Sequence, residues 1–141
     1  RGVLYLLHDM RSNKISPVSD GCRKNYEIVA EGMRNAVIGG TCRGAAITDI
    51  EVCGKTGTAE NPHGKDHSAF IGFAPYRNPK VAICVYVENG GFGATYGVPI
   101  GKLMMEKYLK GEISEENKLL EETMSNAVVS PNVLSLPNRE L

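Results

Sequence analysis

The stretch Ile47-Thr48-Asp49-Ile50-Glu51-Val52-Cys53-Gly54-Lys55-Thr56-Gly57-Thr58-Ala59 decides the reading of this chain. Its β-branched residues, bounded by turn signals, predict a strand from Ile47 to Ala59. Side chains alternate faces along a strand, so Thr56 and Thr58 point the same way, ~7 Å apart, and Lys55 points the other way. Gly57 carries no side chain and leaves room for a second backbone to approach. A lysine, two aligned hydroxyls and an open strand edge suit a peptide that ends in a carboxylate and pairs as an added strand.

Two more strands follow. The polar loop Glu60 to His67 carries the turn signals Asn61-Pro62 and Gly64, and Ser68 to Ala74 is the second strand. Pro75-Tyr76-Arg77-Asn78-Pro79 is a turn with a proline at each end, and Lys80 to Glu88 is the third strand. Connections this short favour antiparallel neighbours, because parallel pairing needs a crossover of a dozen or more residues.

Upstream, Tyr26, Val29, Met33 and Val37 recur at helical spacing and predict a helix from Asn25 to Ile38, ended by Gly39-Gly40. Residues 1–20 read as extended and irregular, and residues 39–46 as a glycine-rich connection. Downstream, Asn89 to Ala94 reads as a flexible glycine loop. A second helix is predicted from Val98 to Lys110, with Pro99 in its first turn and Gly111 as its stop. Its apolar positions include Ile100, Leu103, Met104 and Tyr108. Ser114 to Ser125 predicts a short charged helix. The tail with Pro131 and Pro137 reads as extended or disordered.

The length of 141 residues suits one domain, and 42% hydrophobic with 23% charged residues is ordinary for a globular protein. A formal net charge of zero gives no basic footprint for nucleic acid. No apolar run approaches the ~18 residues of a membrane span. The chain starts at Arg1 and shows no signal peptide, which is the expectation for a piece of a larger protein. Cys22, Cys42, Cys53 and Cys84 have no zinc-site spacing. Cys53 and Cys84, inside apolar runs, read as small buried hydrophobes.

Other motifs fail on inspection. Gly54-Lys55-Thr56 is not the end of a phosphate-binding loop, because Asp49 stands where its first glycine belongs and β-like residues follow. Gly91-Phe92-Gly93 is not a dinucleotide fingerprint, because Tyr96 takes the third glycine position. His63 and His67 are four apart, but Pro62 and Gly64 argue against the helix that would pair them on a metal, so they read as loop histidines. Glu115, Glu116, Glu121 and Glu122 read as a solvated helix face. No cofactor is predicted.

Lys55-Thr56-Gly57 is one of three motifs shared by serine enzymes that react with penicillin, the others being S-x-x-K and S-x-N. No serine here has a lysine three residues on. The one S-x-N match, Ser130-Pro131-Asn132, lies after K-T-G, whereas the family has it before. Gly54 to Glu60, Asp66-His67-Ser68, Phe73-Ala74-Pro75, Asn78 to Ala82 and Val87-Glu88-Asn89-Gly90-Gly91 together resemble the C-terminal part of the transpeptidase domain of class B penicillin-binding proteins. The Val87 to Gly91 stretch is most similar to the penicillin-binding protein 2 branch, and Asn61-Pro62-His63-Gly64 resembles its version in Bacteroides-type bacteria. The resemblance covers roughly residues 20–111.

The resemblance implies an α+β, serine β-lactamase-like fold, of which residues 47–88 supply three antiparallel strands with flanking helices. Residues 1–111 would be the transpeptidase portion and residues 112–141 a C-terminal extension. It further implies a peptidoglycan D,D-transpeptidase acting on stem peptides that end in D-Ala-D-Ala and acylated by β-lactam antibiotics. Lys55 would hold the S-x-N serine, the hydroxyls of Thr56 and Thr58 would bind the substrate carboxylate beside Gly57, and the Thr58 N–H would be half of the oxyanion hole. The nucleophile is none of the residues of this chain, so the chain alone is expected to be inactive. The parent would be anchored by an N-terminal helix, act on the extracytoplasmic face of the membrane, and work with a membrane glycosyltransferase of the shape-elongation system. Without its partner helices, the sheet is expected to expose an apolar face and the chain to self-associate. A non-catalytic peptide-binding module and a serine β-lactamase piece are the alternatives.

Overall fold

The computed structural model describes residues 20–130. The expectations for residues 1–19 and for the proline-bearing tail beyond Ser130 lie outside the described residues.

Helix α1 spans Asp20–Gly39. It begins five residues before Asn25, because asparagine costs only ~0.7 kcal/mol or less inside a helix and no proline lies between Asp20 and Asn25. Only its C-terminal part enters the core: Val37 is buried, while Tyr26 and Val29 of the predicted stripe are exposed among the described residues. After α1 a short 3-10 turn, Arg43–Ala45, leads toward the sheet.

The sheet has three antiparallel strands in the order β1-β2-β3: β1 Cys53–Ala59, β2 His67–Ala74 and β3 Val81–Val87. The first strand starts six residues later than predicted. Ile47 and Ile50 form an isolated bridge around a tight turn, with Asp49 in the left-handed region at φ 66°. Aspartate is among the few residues that visit that region readily. The two hairpin connections match the predicted turns.

Register assigns the faces. Thr58 lies opposite Ser68, Thr56 opposite Phe70, and Phe70 opposite Val85. Ser68, Phe70, Gly72 and Ala74 are buried under helix α2, Gly97–Lys110. The other face carries Lys55, Ile71, Cys84 and Tyr86, all exposed among the described residues. Cys84 therefore departs from the buried reading, whereas Cys53 follows it; Cys42 is buried as well.

The core joins Val37, Cys42 and Val52 to Phe70, Val98 and Met105. The face of α2 that meets the sheet runs through Val98, Gly101 and Met105; Met104 and Tyr108 point away and are exposed. Gly111, at φ 85°, ends α2 as predicted. The chain then forms a second 3-10 turn, Glu115–Asn117, and helix α3, Lys118–Ser125. This segment is pinned to α2 by buried Glu106. Its carboxylate accepts from Ser114 Oγ at 2.7 Å and Asn117 Nδ2 at 2.9 Å, and pairs with Lys110 Nζ at 3.4 Å. Burial pushes the Glu106 carboxyl up, but these three donors outweigh it and hold it below its ordinary range.

Candidate active site

Strand β1 has a partner on one side only among the described residues, so its other edge is open. The alternation expected from the sequence holds. Lys55 shares the outer face with Ile71, while Thr56 and Thr58 belong with Phe70 and Ser68 on the helix-covered face. Lys55 and Thr58 are exposed and Thr56 is partly covered. The Lys55 ammonium donates to the Thr56 carbonyl at 2.7 Å, so the lysine curls along its own strand. The Thr56 hydroxyl meets the Thr41 hydroxyl at 3.1 Å. All four predicted site residues, Lys55, Thr56, Gly57 and Thr58, thus occupy one short length of open strand.

Within the chain, a close backbone approach to the motif is made by Gly93. A β-carbon on Gly93 would stand 2.5 Å from the Ala69 carbonyl and 2.6 Å from the Gly57 carbonyl. The glycine loop therefore lies directly beneath the motif. Buried Ser68 ties it down, donating to the Phe92 carbonyl at 2.9 Å and accepting from the Gly97 N–H at 3.0 Å. Gly97 is the first residue of α2, so one hydroxyl joins the strand opposite Thr58 to the loop and to the helix.

A second set of bonds holds the loops at the far end of β1. Asn61 Nδ2 donates to Asn89 Oδ1 at 3.0 Å, and the Asn89 N–H donates to His67 Nδ1 at 2.9 Å. The Gly91 N–H donates to the Asp66 carbonyl at 2.7 Å. Asn89 sits at φ 58°, where asparagine is tolerated better than most residues. His67 therefore serves as a structural acceptor, its ring tilted against Tyr86 with centroids 5.4 Å apart. No group of three or more metal-ligating side chains occurs among the described residues.

Sequence reasoning missed Thr41, Ser68 and the Asn61–Asn89 pair. Ser68 had a signal, since hairpin register places it across from Thr58. Thr41 had none, because only the tertiary fold brings the end of α1 to the motif.

The candidate site is thus an open-edged K-T-G strand on a three-stranded antiparallel sheet, backed by a glycine loop and helix α2. Residues 11–106 match the penicillin binding protein transpeptidase domain, and the chain belongs to that family. It is 42% identical over 78 residues to the peptidoglycan D,D-transpeptidase PbpA of Mycobacterium tuberculosis, covering 48% of this chain and 16% of that protein. Among solved structures, it resembles penicillin-binding protein A from M. tuberculosis in its ceftriaxone acyl-enzyme complex. That likeness has a TM-score of 0.53 and 36% identity, over 57% of this chain and 20% of that one. It also resembles penicillin-binding protein 2 from a complex with MreC of Helicobacter pylori, with a TM-score of 0.57 and 27% identity, over 71% of this chain and 20% of that one. The chain thus spans between 16% and 20% of these relatives.

Proposed function

We propose that this chain supplies the K-T-G wall of a peptidoglycan D,D-transpeptidase whose nucleophilic serine lies in sequence beyond these 141 residues. The observation that carries the reading is the split display on β1, with Lys55 on the outer face and two threonines beside an open edge. A stem peptide ending in D-Ala-D-Ala would pair along that edge. Its carboxylate would meet the hydroxyls of Thr56 and Thr58, and its scissile carbonyl would meet the Thr58 N–H. Lys55 would act from the outer face on a serine of the S-x-N motif. Losing one such oxyanion donor typically costs ~10²–10³ in rate. β-Lactams would acylate the nucleophilic serine, in keeping with the ceftriaxone acyl-enzyme that the M. tuberculosis relative forms.

The outer sheet face, with Ile71, Tyr86 and Cys84 exposed, would be covered by the remainder of the transpeptidase domain. The isolated chain would then self-associate through that face. No helix among the described residues is long and apolar enough to cross a membrane. The whole protein would be anchored elsewhere in its sequence and act on the extracytoplasmic side. The complex of its H. pylori relative with MreC fits a place in a shape-elongation assembly, and a membrane glycosyltransferase would be its working partner.

The test uses membranes of the native source, labelled with fluorescent penicillin and blotted with an antibody to this segment. A coincident band several times heavier than 15.3 kDa is expected. An unlabelled band near that mass would overturn the enzyme reading in favour of a stand-alone peptide-binding module.

A further inference from the structure

We propose that Thr41 is a positioning residue for carboxylate recognition, orienting the Thr56 hydroxyl proton toward a bound anion. The inference rests on the reading of Thr56 as a carboxylate-binding group. Its own observation is the 3.1 Å contact in which Thr56 Oγ1 donates to Thr41 Oγ1.

Each hydroxyl has one proton and two acceptor lone pairs, whereas an ionised carboxylate only accepts. To bind a carboxylate, Thr56 must turn its proton away from Thr41. Two hydroxyl oxygens would then face each other with no proton between them. Thr41 relieves this by rotating its own proton into the gap and donating to Thr56. The pair keeps its hydrogen bond, the direction reverses, and Thr56 becomes a more polarised donor because it also accepts. Two hydroxyl rotations accomplish the change, with no backbone movement.

Thr41 is built to hold its place. The N–H groups of its neighbours Gly40 and Cys42 both donate to the Ala36 carbonyl, at 3.1 and 3.0 Å. A β-carbon on Gly40 would stand 2.9 Å from Ala36 Cα, so only glycine fits this tight exit from α1. Cys42 is fully buried in the core. Arg34 Nη1 donates to the Val52 carbonyl at 3.0 Å, tying α1 to the residue just before β1. The hydroxyl spacing is therefore set by the packing of helix on strand.

The experiment uses the full-length protein and measures acylation rate constants for a penicillin and for its carboxyl methyl ester. The acid-to-ester ratio isolates carboxylate recognition from general damage, since both ligands meet the same preparation. Thr41→Val should lower that ratio roughly three- to tenfold, the size of one neutral hydrogen bond. Thr41→Ser should restore it, and Thr41→Val should add nothing in a Thr56→Ala background. A Thr41→Val protein with the wild-type ratio, beside a Thr56→Ala protein with a reduced one, overturns the proposal and leaves the site reading intact. Equal losses with acid and ester also overturn it. A wild-type ratio in Thr56→Ala overturns the reading of Thr56 and this inference with it.

Discussion

Gly101 of α2 stands so close to Phe70 of β2 that a β-carbon there would lie 2.5 Å from Phe70 Cδ1. β-Carbons on Gly54 and Gly72 would likewise crowd the same ring from the sheet, at 2.5 and 2.8 Å. These glycines supply space, and that space lets α2 settle low on the sheet. Gly97 then rests against the Ala69–Phe70 backbone, and the Gly93 loop fits beneath the K-T-G strand.

Gly101→Ala should therefore destabilise by about 1–3 kcal/mol, the usual cost of overpacking a filled core. Phe70→Leu in that background should recover part of the loss, because contacting residues couple. Denaturant unfolding of the four proteins checks this. Additive effects would mean that α2 can lift away without strain.

Asn89 combines a left-handed backbone with the side-chain bond to Asn61. Asn89→Ala should lose both, at roughly 1–3 kcal/mol. Asn89→Gly should cost less, since it keeps the backbone conformation and loses only the amide bond. The reverse order of melting temperatures would remove the backbone argument.

Glu106 links stability to acid. Its folded pKa lies below the ordinary 4.5, so its contribution is fully present above that value. The contribution is lost as pH falls through the folded pKa. Glu106→Gln should flatten the stability profile below pH 4.5 and cost on the order of 1–3 kcal/mol at neutral pH. Hydrogen exchange should show the amides of residues 114–126 losing protection first. Unchanged protection there would mean that the segment docks by other contacts.

The thiols should separate by reactivity. Burial pushes the Cys53 thiol up to about 11 and shields it, whereas Cys84 is exposed on the outer face. Brief alkylation of this chain near neutral pH, followed by peptide mapping, should mark Cys84 well before Cys53 or Cys42. In the full-length protein, protection of Cys84 would mark the outer face as covered. Rapid modification of Cys53 in the folded chain would contradict the packing of β1.

Thr58 has two separable groups. In the full-length protein, Thr58→Ala should weaken penicillin acylation by roughly 10- to 100-fold, the worth of a hydrogen bond to a charged group. Thr58→Pro should lose a further ~10²-fold or more by removing the proposed oxyanion donor. Equal losses in the two variants would show that the hydroxyl and the N–H do not act separately.

The elements and the motif were legible because their signals are local. Alternation placed Lys55 opposite the two threonines, the prolines at 75 and 79 marked a hairpin turn, and Gly111 stopped a helix. What failed were judgements of burial. The stripe through Tyr26 and Val29 is helical yet exposed, and Met104 and Tyr108 face away from the sheet although their spacing suited it. Periodicity shows that a face exists, and only the neighbour decides whether it is covered.

From the sequence alone came the three antiparallel strands, the order of the elements, the K-T-G motif and the lack of any S-x-x-K match. Each depends on residue type and short spacing. Tertiary structure alone decided that Thr41 meets Thr56 across 15 positions, that Ser68 ties the glycine loop beneath β1, and that Glu106 draws in Ser114 and Asn117. Those contacts join segments whose distance along the chain says nothing of their distance in space. The Ser68 contacts form because Phe70 and its glycine neighbours let α2 lie low on the sheet, and the Thr41 contact follows from the packing of α1 against β1.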